Sequence, residues 1–178
     1  MSSLIIHTLG PQETDSNDAA HYYLSKSPDK KAQIILHNSY EEIISAFAKY
    51  RNEFFLIPTA FKSATLNMTW GELHYHYLDQ LILKNCFMHR LNPLVILERC
   101  DRKNGIAYSH PATAQLLTSR IHSCQVRYSP SKYLAYQQYM KDGQYTLTNE
   151  KNIVLSSKEK IIARYEPQMI WSLYQIKG

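Results

Sequence analysis

Cysteine is scarce in this 178-residue sequence: there are 3, at positions 86, 100 and 124, and no two have the CxxC spacing. An odd number of scattered cysteines argues against a disulfide framework or a thiolate zinc site, and favours free thiols in a reducing compartment. The sequence also lacks the run of about 20 apolar residues that spans a bilayer and the basic flank of a secretory signal. We therefore expect a cytoplasmic protein with no membrane partner.

Glycine is scarce as well, with 5 residues, and the absence of a glycine-rich phosphate loop argues against nucleotide binding. The 20 basic residues exceed the 15 acidic ones, which gives a net charge of +5. Because the basic residues are scattered along the chain, they predict a solvated surface and no nucleic-acid partner. Hydrophobic residues make up 44% of the chain, enough for the core of a globular domain.

The first part of the chain alternates short apolar strands with helices. The predicted strands cover residues 5–9, 32–37 and 54–57. The first strand ends at the turn Gly10-Pro11, and Thr14 and Ser16 can cap the helix that follows. A second helix begins at the capping box formed by Ser39 and Glu42. This order predicts a parallel sheet whose strands end at one edge, where helix N-termini favour an anion.

The middle of the chain predicts a second lobe. Longer strand-like runs at 81–90 and 94–97 can carry the chain across, and a strand at 145–150 is expected to return it to the first lobe. Two crossings are typical of a two-lobed α/β fold of the type II periplasmic-binding-protein kind, with a central cleft. The expected lobes are 1–80 with 148–178, and 81–147.

Two helix starts in this second lobe carry polar residues. Ser109-His110-Pro111 begins one helix, and Ser129 and Ser131 flank a proline before another, which ends at Gly143. Both N-termini are expected to face the cleft, together with the one near Thr14.

Histidines raise the question of a metal. His74 and His76 fall at alternate positions of a segment, 71–78, that reads as an irregular strand, with His89 nearby. No carboxylate or thiolate stands at a convincing spacing to complete the site. The sequence therefore predicts no metal.

Three segments resemble motifs of prephenate dehydratases in the family's own order. They are Leu9-Gly10-Pro11 with Thr14 and Ser16, then Leu56-Ile57-Pro58, then Ser109-His110-Pro111 followed by Ala114-Gln115. The resemblance covers most of the chain and implies that residues 1–178 form the catalytic domain of that family. It also implies that the regulatory ACT domain is missing.

The sequence differs from the motifs of the dehydratases at three places. Glu13 stands at a family glycine, Thr59-Ala60-Phe61 replaces Ile-Glu-Asn, and Trp171-Ser172-Leu173 replaces the Thr-Arg-Phe whose threonine is thought to assist loss of the ring hydroxyl. With Leu147-Thr148-Asn149-Glu150, this pattern resembles the prephenate decarboxylases of bacilysin biosynthesis, the BacA type.

That resemblance implies a carboxy-lyase that needs no cofactor. It would release CO₂ from prephenate without aromatising it, protonate a ring carbon, and give a dihydro-4-hydroxyphenylpyruvate for bacilysin- or aeruginosin-like secondary metabolism. The resemblance leaves open whether the protein forms a homodimer.

The reaction needs groups that hold two carboxylates and protonate carbon while sparing the hydroxyl. His110 and Ser109 are the candidate catalytic residues, although His110 could equally be a cap histidine bonded to the backbone. The candidate substrate-binding residues are Thr14, Ser16, Thr59, Ser129, Ser131, Thr148, Asn149 and Trp171. Trp171 would form an apolar wall or belong to the core.

Two other functions remain open. A non-catalytic module that binds a keto acid or an amino acid is favoured by Glu13, because a carboxylate beside an anion-binding loop repels a dianion. A residual prephenate dehydratase is disfavoured by Trp171-Ser172-Leu173.

Overall fold

The computed structural model describes residues 4–27 and 32–178. Within them the helices are α1 (Asp15–Lys26), α2 (Tyr40–Ser45), α3 (Trp70–His76), α4 (Ala114–Thr118) and α5 (Lys132–Asp142). The strands are β1 (Leu4–Leu9), β2 (Ala32–His37), β3 (Phe54–Pro58), β4 (Lys62–Ser63), β5 (Met68–Thr69), β6 (Leu81–Arg90), β7 (Leu94–Arg99), β8 (Ile106–Ser109), β9 (Gln125–Tyr128), β10 (Tyr145–Asn149), β11 (Glu159–Tyr165) and β12 (Gln168–Ile176).

The chain divides into two compact units. The first unit runs up to His89 and includes Gln168–Gly178, and the second is Arg90–Pro167. The chain therefore leaves the first unit later than the predicted position 80. It returns only at the last strand, so residues 148–167 belong to the second unit.

The first unit contains a five-stranded sheet in the order β2-β1-β3-β12-β6. As the sequence predicted, β1, β2 and β3 are parallel, whereas β12 runs antiparallel to β3 and pairs Trp171 with Pro58. One face of the sheet packs against α2 through a core that includes Ile43, Phe55 and Tyr174. Near the end of α1, Tyr22 stacks on His89 of β6. The unit is thus a sheet with helices on both faces.

The second unit contains a sheet in the order β11-β7-β10-β8-β9. Strands β8, β9 and β10 are parallel, and β7 is antiparallel to β10 and β11. One core joins α5 to the sheet through Ala135, Tyr139 and Leu97, and a second core on other side chains includes Ile96 and Leu117. Because β8, β9 and β10 are parallel, their carboxyl ends share one edge of the sheet.

Helix caps are where the sequence predicted the fold most accurately. The side chains of Thr14, Ser39 and Ser131 accept backbone N–H groups at the starts of α1, α2 and α5. Each satisfies one of the donors that a helix start leaves without an intrahelical partner.

Two sequence predictions about elements are wrong. The segment 71–78 is largely the helix α3, which begins at a capping box between Thr69 and Glu72. Strand β10 does not return the chain to the first unit, because it pairs with β7 and β8 inside the second.

Candidate functional site

The carboxyl edge of the second sheet gathers most of the polar residues that the sequence selected. Ser109 ends β8, Asn149 ends β10, and Ser129 follows β9. The Ser129 N–H donates to the Ser109 carbonyl at 3.0 Å, which joins two strand ends. Helix α5 then starts at Lys132, so its N-terminus lies at the same edge.

His110 stands at this edge with one ring nitrogen bonded and the other available. Its Nδ1 accepts the backbone N–H of Ala112 at 3.2 Å. A nitrogen that accepts cannot carry the hydrogen of the neutral ring, so the hydrogen is on Nε2. Among the described residues Nε2–H has no acceptor, and it can therefore donate to a ligand.

The protonation state of His110 limits what it can do. Desolvation, and secondarily the positive charge of Lys132, lowers the pKa of His110 to about 3. The ring is therefore neutral at physiological pH, and it can donate a hydrogen bond without acting as a strong acid. A neutral ring that accepts a backbone N–H fits a cap residue or a polar hydrogen-bonding group, and the predicted catalytic role of His110 stays a prediction.

The start of α5 supplies a second donor set. Ser131 accepts the Leu134 N–H at 3.1 Å and is 3% exposed. The first N–H groups of a helix point out of its N-terminus, where the helix dipole is positive, and Lys132 adds a full charge there. The sequence analysis missed Lys132, although a lysine directly after a serine cap was a visible signal.

Most other hydroxyls at this edge are used within the unit. Thr148 donates to the Lys132 carbonyl at 2.8 Å, and Ser109 donates to the His110 carbonyl at 3.1 Å. Ser129 donates to Gln138. The bonds of Ser109 and Thr148 hold the backbone at His110 and Lys132, and Asn149 is buried at the end of β10. Their predicted roles in binding substrate stay predictions.

The first unit holds the remaining predicted site residues. Thr14 donates to the Leu9 carbonyl at 2.8 Å, and Ser16 shares a 2.7 Å hydrogen bond with Tyr40. Thr59 donates to Ile170 at 3.2 Å, beside the register pair of Pro58 and Trp171. These hydroxyls, like those of the second unit, are bonded to the protein itself.

Trp171 differs from these hydroxyl residues. The residue is 2% exposed, and its indole N–H has no acceptor among the described residues. Buried polar groups normally have partners, so an unpaired buried N–H is a candidate for contact with a ligand.

Glu13 and the histidine-rich segment need no ligand. Glu13 is exposed on the loop before α1, where water screens its charge. His74 and His76 lie two positions apart on a helix, and therefore point in different directions; the shared strand face inferred from the sequence is wrong. His74 bonds the Tyr174 hydroxyl at 2.9 Å. The described part of the chain contains no cluster of three or more His, Cys, Asp or Glu residues suited to a metal.

The helices described above were also compared with the length of a bilayer. None of those in residues 4–27 and 32–178 is both long enough and apolar enough to cross a membrane.

Comparisons with solved structures identify the fold. The chain matches the structure of a prephenate dehydratase from Arthrobacter aurescens in complex with L-Phe, with a TM-score of 0.59 and 11% identity over 98% of this chain and 61% of that one. It matches an ABC transporter protein from Parabacteroides distasonis, with a TM-score of 0.61 and 14% identity over 98% of this chain and 66% of that one. It also matches the periplasmic VFT2 domain of Bordetella pertussis BvgS, with a TM-score of 0.59 and 13% identity over 98% of this chain and 80% of that one.

The chain has the type II periplasmic-binding-protein fold. This fold, which the matched part of the Arthrobacter prephenate dehydratase shares, confirms the α/β class predicted from the sequence. At these identities the likeness concerns the fold alone. The chain spans less than two thirds of the length of the Arthrobacter and Parabacteroides proteins. No family model and no curated protein matches the sequence.

Proposed function

We propose that this chain is a prephenate decarboxylase, which releases CO₂ from prephenate and keeps the ring hydroxyl. The observation that carries the proposal is the state of His110, a neutral ring with an unused Nε2–H at the end of β8. A neutral imidazole can bind an oxygen of the substrate, but it gives a leaving hydroxyl no strong acid. Dehydration needs that acid, whereas decarboxylation does not.

The reaction balances without a cofactor. The bond between the ring carbon and its carboxylate breaks, and CO₂ leaves. The electron pair enters the ring diene, and a ring carbon takes up one proton from water for each CO₂ released. The C–OH bond stays intact, so the ring does not become aromatic.

The edge of the second sheet suits the anionic part of this substrate. The N-terminus of α5, with Lys132 at its first position, favours a carboxylate. His110 Nε2–H and the Ser131 hydroxyl add two neutral donors, since the described hydrogen bonds of Ser131 use it only as an acceptor. Donors fixed before the substrate arrives stabilise charge without having to reorganise.

Trp171, in the first unit, has a buried indole N–H with no acceptor among the described residues, as does Trp70. The substitution W171F keeps an apolar ring and removes that hydrogen. We expect it to weaken the affinity for prephenate, which isothermal titration measures. An unchanged affinity would assign Trp171 to the core alone.

A second candidate function is a binding module for a keto acid or an amino acid. It is favoured by the site hydroxyls, nearly all of which are bonded within the protein and so are not placed to move protons. Such a module needs only the donors at α5 and His110.

One incubation separates these functions. The purified chain is mixed with prephenate at pH 8, where acid does not aromatise the substrate, and CO₂ release and product are followed by NMR. CO₂ with a non-aromatic hydroxydienyl pyruvate supports the decarboxylase. Phenylpyruvate would overturn it in favour of a dehydratase. Unchanged prephenate that raises the melting temperature would overturn it in favour of the binding module.

A further inference from the structure

A chain of four titratable side chains runs through the first unit, outside the candidate site. His7 Nε2 bonds the carboxylate of Glu53, and His7 Nδ1 lies 2.9 Å from His37 Nε2. His37 Nδ1 in turn lies 3.7 Å from a carboxylate oxygen of Glu42. His7 is 1% exposed and His37 9% exposed.

These contacts connect four separate parts of the unit. His7 lies on β1, His37 ends β2, Glu42 lies on α2, and Glu53 precedes β3. The ring of Tyr50 stacks on His7 with 3.9 Å between centroids. The bonds among Glu53, His7 and His37, with the stacked ring of Tyr50, therefore hold the turn around Tyr50 against the sheet, and Glu42 of α2 lies beside them. Through the His37 carbonyl, which accepts the Gly10 N–H at 2.8 Å, the chain of contacts also reaches the loop that leads to α1.

The hydrogen bonds determine where the protons are. A carboxylate only accepts, so His7 must donate to Glu53 from Nε2. In a neutral His7 ring the Nδ1 must then accept, and His37 must donate to it from Nε2. In this state both rings are neutral, and His37 Nδ1, near Glu42, is the one ring nitrogen of the pair that carries no hydrogen and accepts none from the other ring.

A second further proton has no place in this arrangement. It would have to enter His7 Nδ1, where it would meet the N–H of His37 at 2.9 Å and break the bond that joins the two rings. The folded pair therefore holds at most one extra proton, whereas the two separated histidines of the unfolded chain hold two below their ordinary pKa.

We propose that the chain Glu53–His7–His37 is a proton-sensitive latch that holds the Tyr50 turn on β1 and β2 of the first sheet at neutral pH and weakens in mild acid. Its titratable contacts are Glu42 from α2, Tyr50 and Glu53 from the segment before β3, and the two histidines themselves on β1 and β2. This inference does not depend on the proposed function.

The electrostatics of His7 agree with the hydrogen bonds. Burial lowers the pKa of His7 below its ordinary value of 6.5, even though the bond to Glu53 and the charge of Glu53 act to raise it. A lowered pKa means that below pH 6.5 the unfolded chain binds a proton that the folded chain refuses. Stability is therefore lost as the pH falls below that value.

The substitution H7Q tests the latch, because it removes the buried imidazole whose pKa is lowered and puts a side chain that does not titrate in its place. The amide N–H can donate to Glu53, and the amide oxygen can accept the N–H of His37. The pH dependence that comes from His7 is then expected to disappear. The matched control is H76Q, which changes an exposed histidine of the same unit.

Urea unfolding between pH 5 and 8 gives the readout. Below pH 6.5 the folding equilibrium constant of the wild type is expected to fall about tenfold more per pH unit than that of H7Q, which corresponds to one proton. H76Q is expected to keep the slope of the wild type. Equal slopes for the wild type and H7Q would overturn the proposal, as would an equal flattening in H76Q.

A measurement on the wild type covers the case in which H7Q does not fold. Histidine ring ¹⁵N NMR at pH 7.5 is expected to show His7 and His37 as neutral rings that carry hydrogen on Nε2. Two doubly protonated rings in the folded chain in mild acid would overturn the latch.

Discussion

His110 and His7 are two histidines of the same molecule whose surroundings carry charges of opposite sign. His7 bonds a carboxylate, whereas His110 faces the ammonium of Lys132. Burial nevertheless lowers the pKa of both, so the neighbouring charge does not distinguish them. Their hydrogen bonds do: His7 uses both ring nitrogens within the protein, and His110 keeps Nε2–H unused. An unused donor at a strand end is the better sign of a ligand site.

The largest expected effect comes from removing that donor. H110F is expected to lower kcat/KM for prephenate about 100-fold, or about 2.7 kcal/mol, which is typical for the loss of one fixed donor to a developing charge. H110F also removes the acceptor of the Ala112 N–H, which is expected to cost about 1 kcal/mol of unfolding free energy, less than the effect on activity. Steady-state kinetics and urea unfolding measure the two quantities.

Two variants control this experiment. H110Q keeps an N–H near the position of Nε2 and is expected to recover part of the lost activity, and H122Q makes the same change at an exposed histidine of the second unit. If H110Q were as inactive as H110F while both were fully folded, the donor role would be wrong.

The converse change at His7 should affect stability instead of activity. H7L leaves Glu53 and the ring of His37 without their partner, which is expected to cost about 2 kcal/mol of unfolding free energy. Activity per folded molecule should stay within about twofold of the wild type. A loss of activity in a stably folded H7L would remove the distinction between the two histidines.

The cap of α5 combines both roles and should give a smaller effect. S131A is expected to cost about 1 kcal/mol of unfolding free energy, and also to weaken prephenate binding. S39A removes the equivalent cap of α2, where Ser39 accepts the Glu42 N–H at 3.1 Å. It should cost similar stability with no change in affinity. Equal affinities of S131A and S39A would count against the α5 site.

The smallest expected effect concerns pH: protonation of His110 is expected to cause no change in kcat/KM. With its pKa lowered to about 3, His110 stays neutral from pH 8 down to pH 5.5, so the ratio of kcat/KM in the wild type to that in H110Q should be constant over this range. The measurement subtracts the non-enzymatic loss of prephenate. A step near pH 6.5 in that ratio would mean that His110 acts in its charged form.

Local signals in the sequence predicted much of the fold. Thr14, Ser39 and Ser131 were recognisable as caps because a cap depends on residues only three positions apart. The same kind of signal at Thr69 and Glu72 was overlooked in favour of a poor strand pattern, and the helix α3 was missed. Strand β11 was not predicted, because its apolar residues Ile161 and Ile162 are adjacent and do not alternate.

The sites depended on contacts that a sequence does not encode locally. His110 could be selected because it directly precedes a helix start. The chain from Glu53 to His7 and His37 could not be found, because residues 46 and 30 positions apart meet only after the sheet has formed. The burial that lowers the pKa of His110 is likewise a property of the folded unit.

The state of His110 is tested most directly by ¹⁵N NMR of its ring, with and without prephenate. We expect a neutral ring with hydrogen on Nε2 from pH 5.5 to 8, and a downfield shift of that hydrogen when prephenate binds. A doubly protonated ring at pH 6, or an Nε2–H signal unchanged by saturating prephenate, would contradict the account.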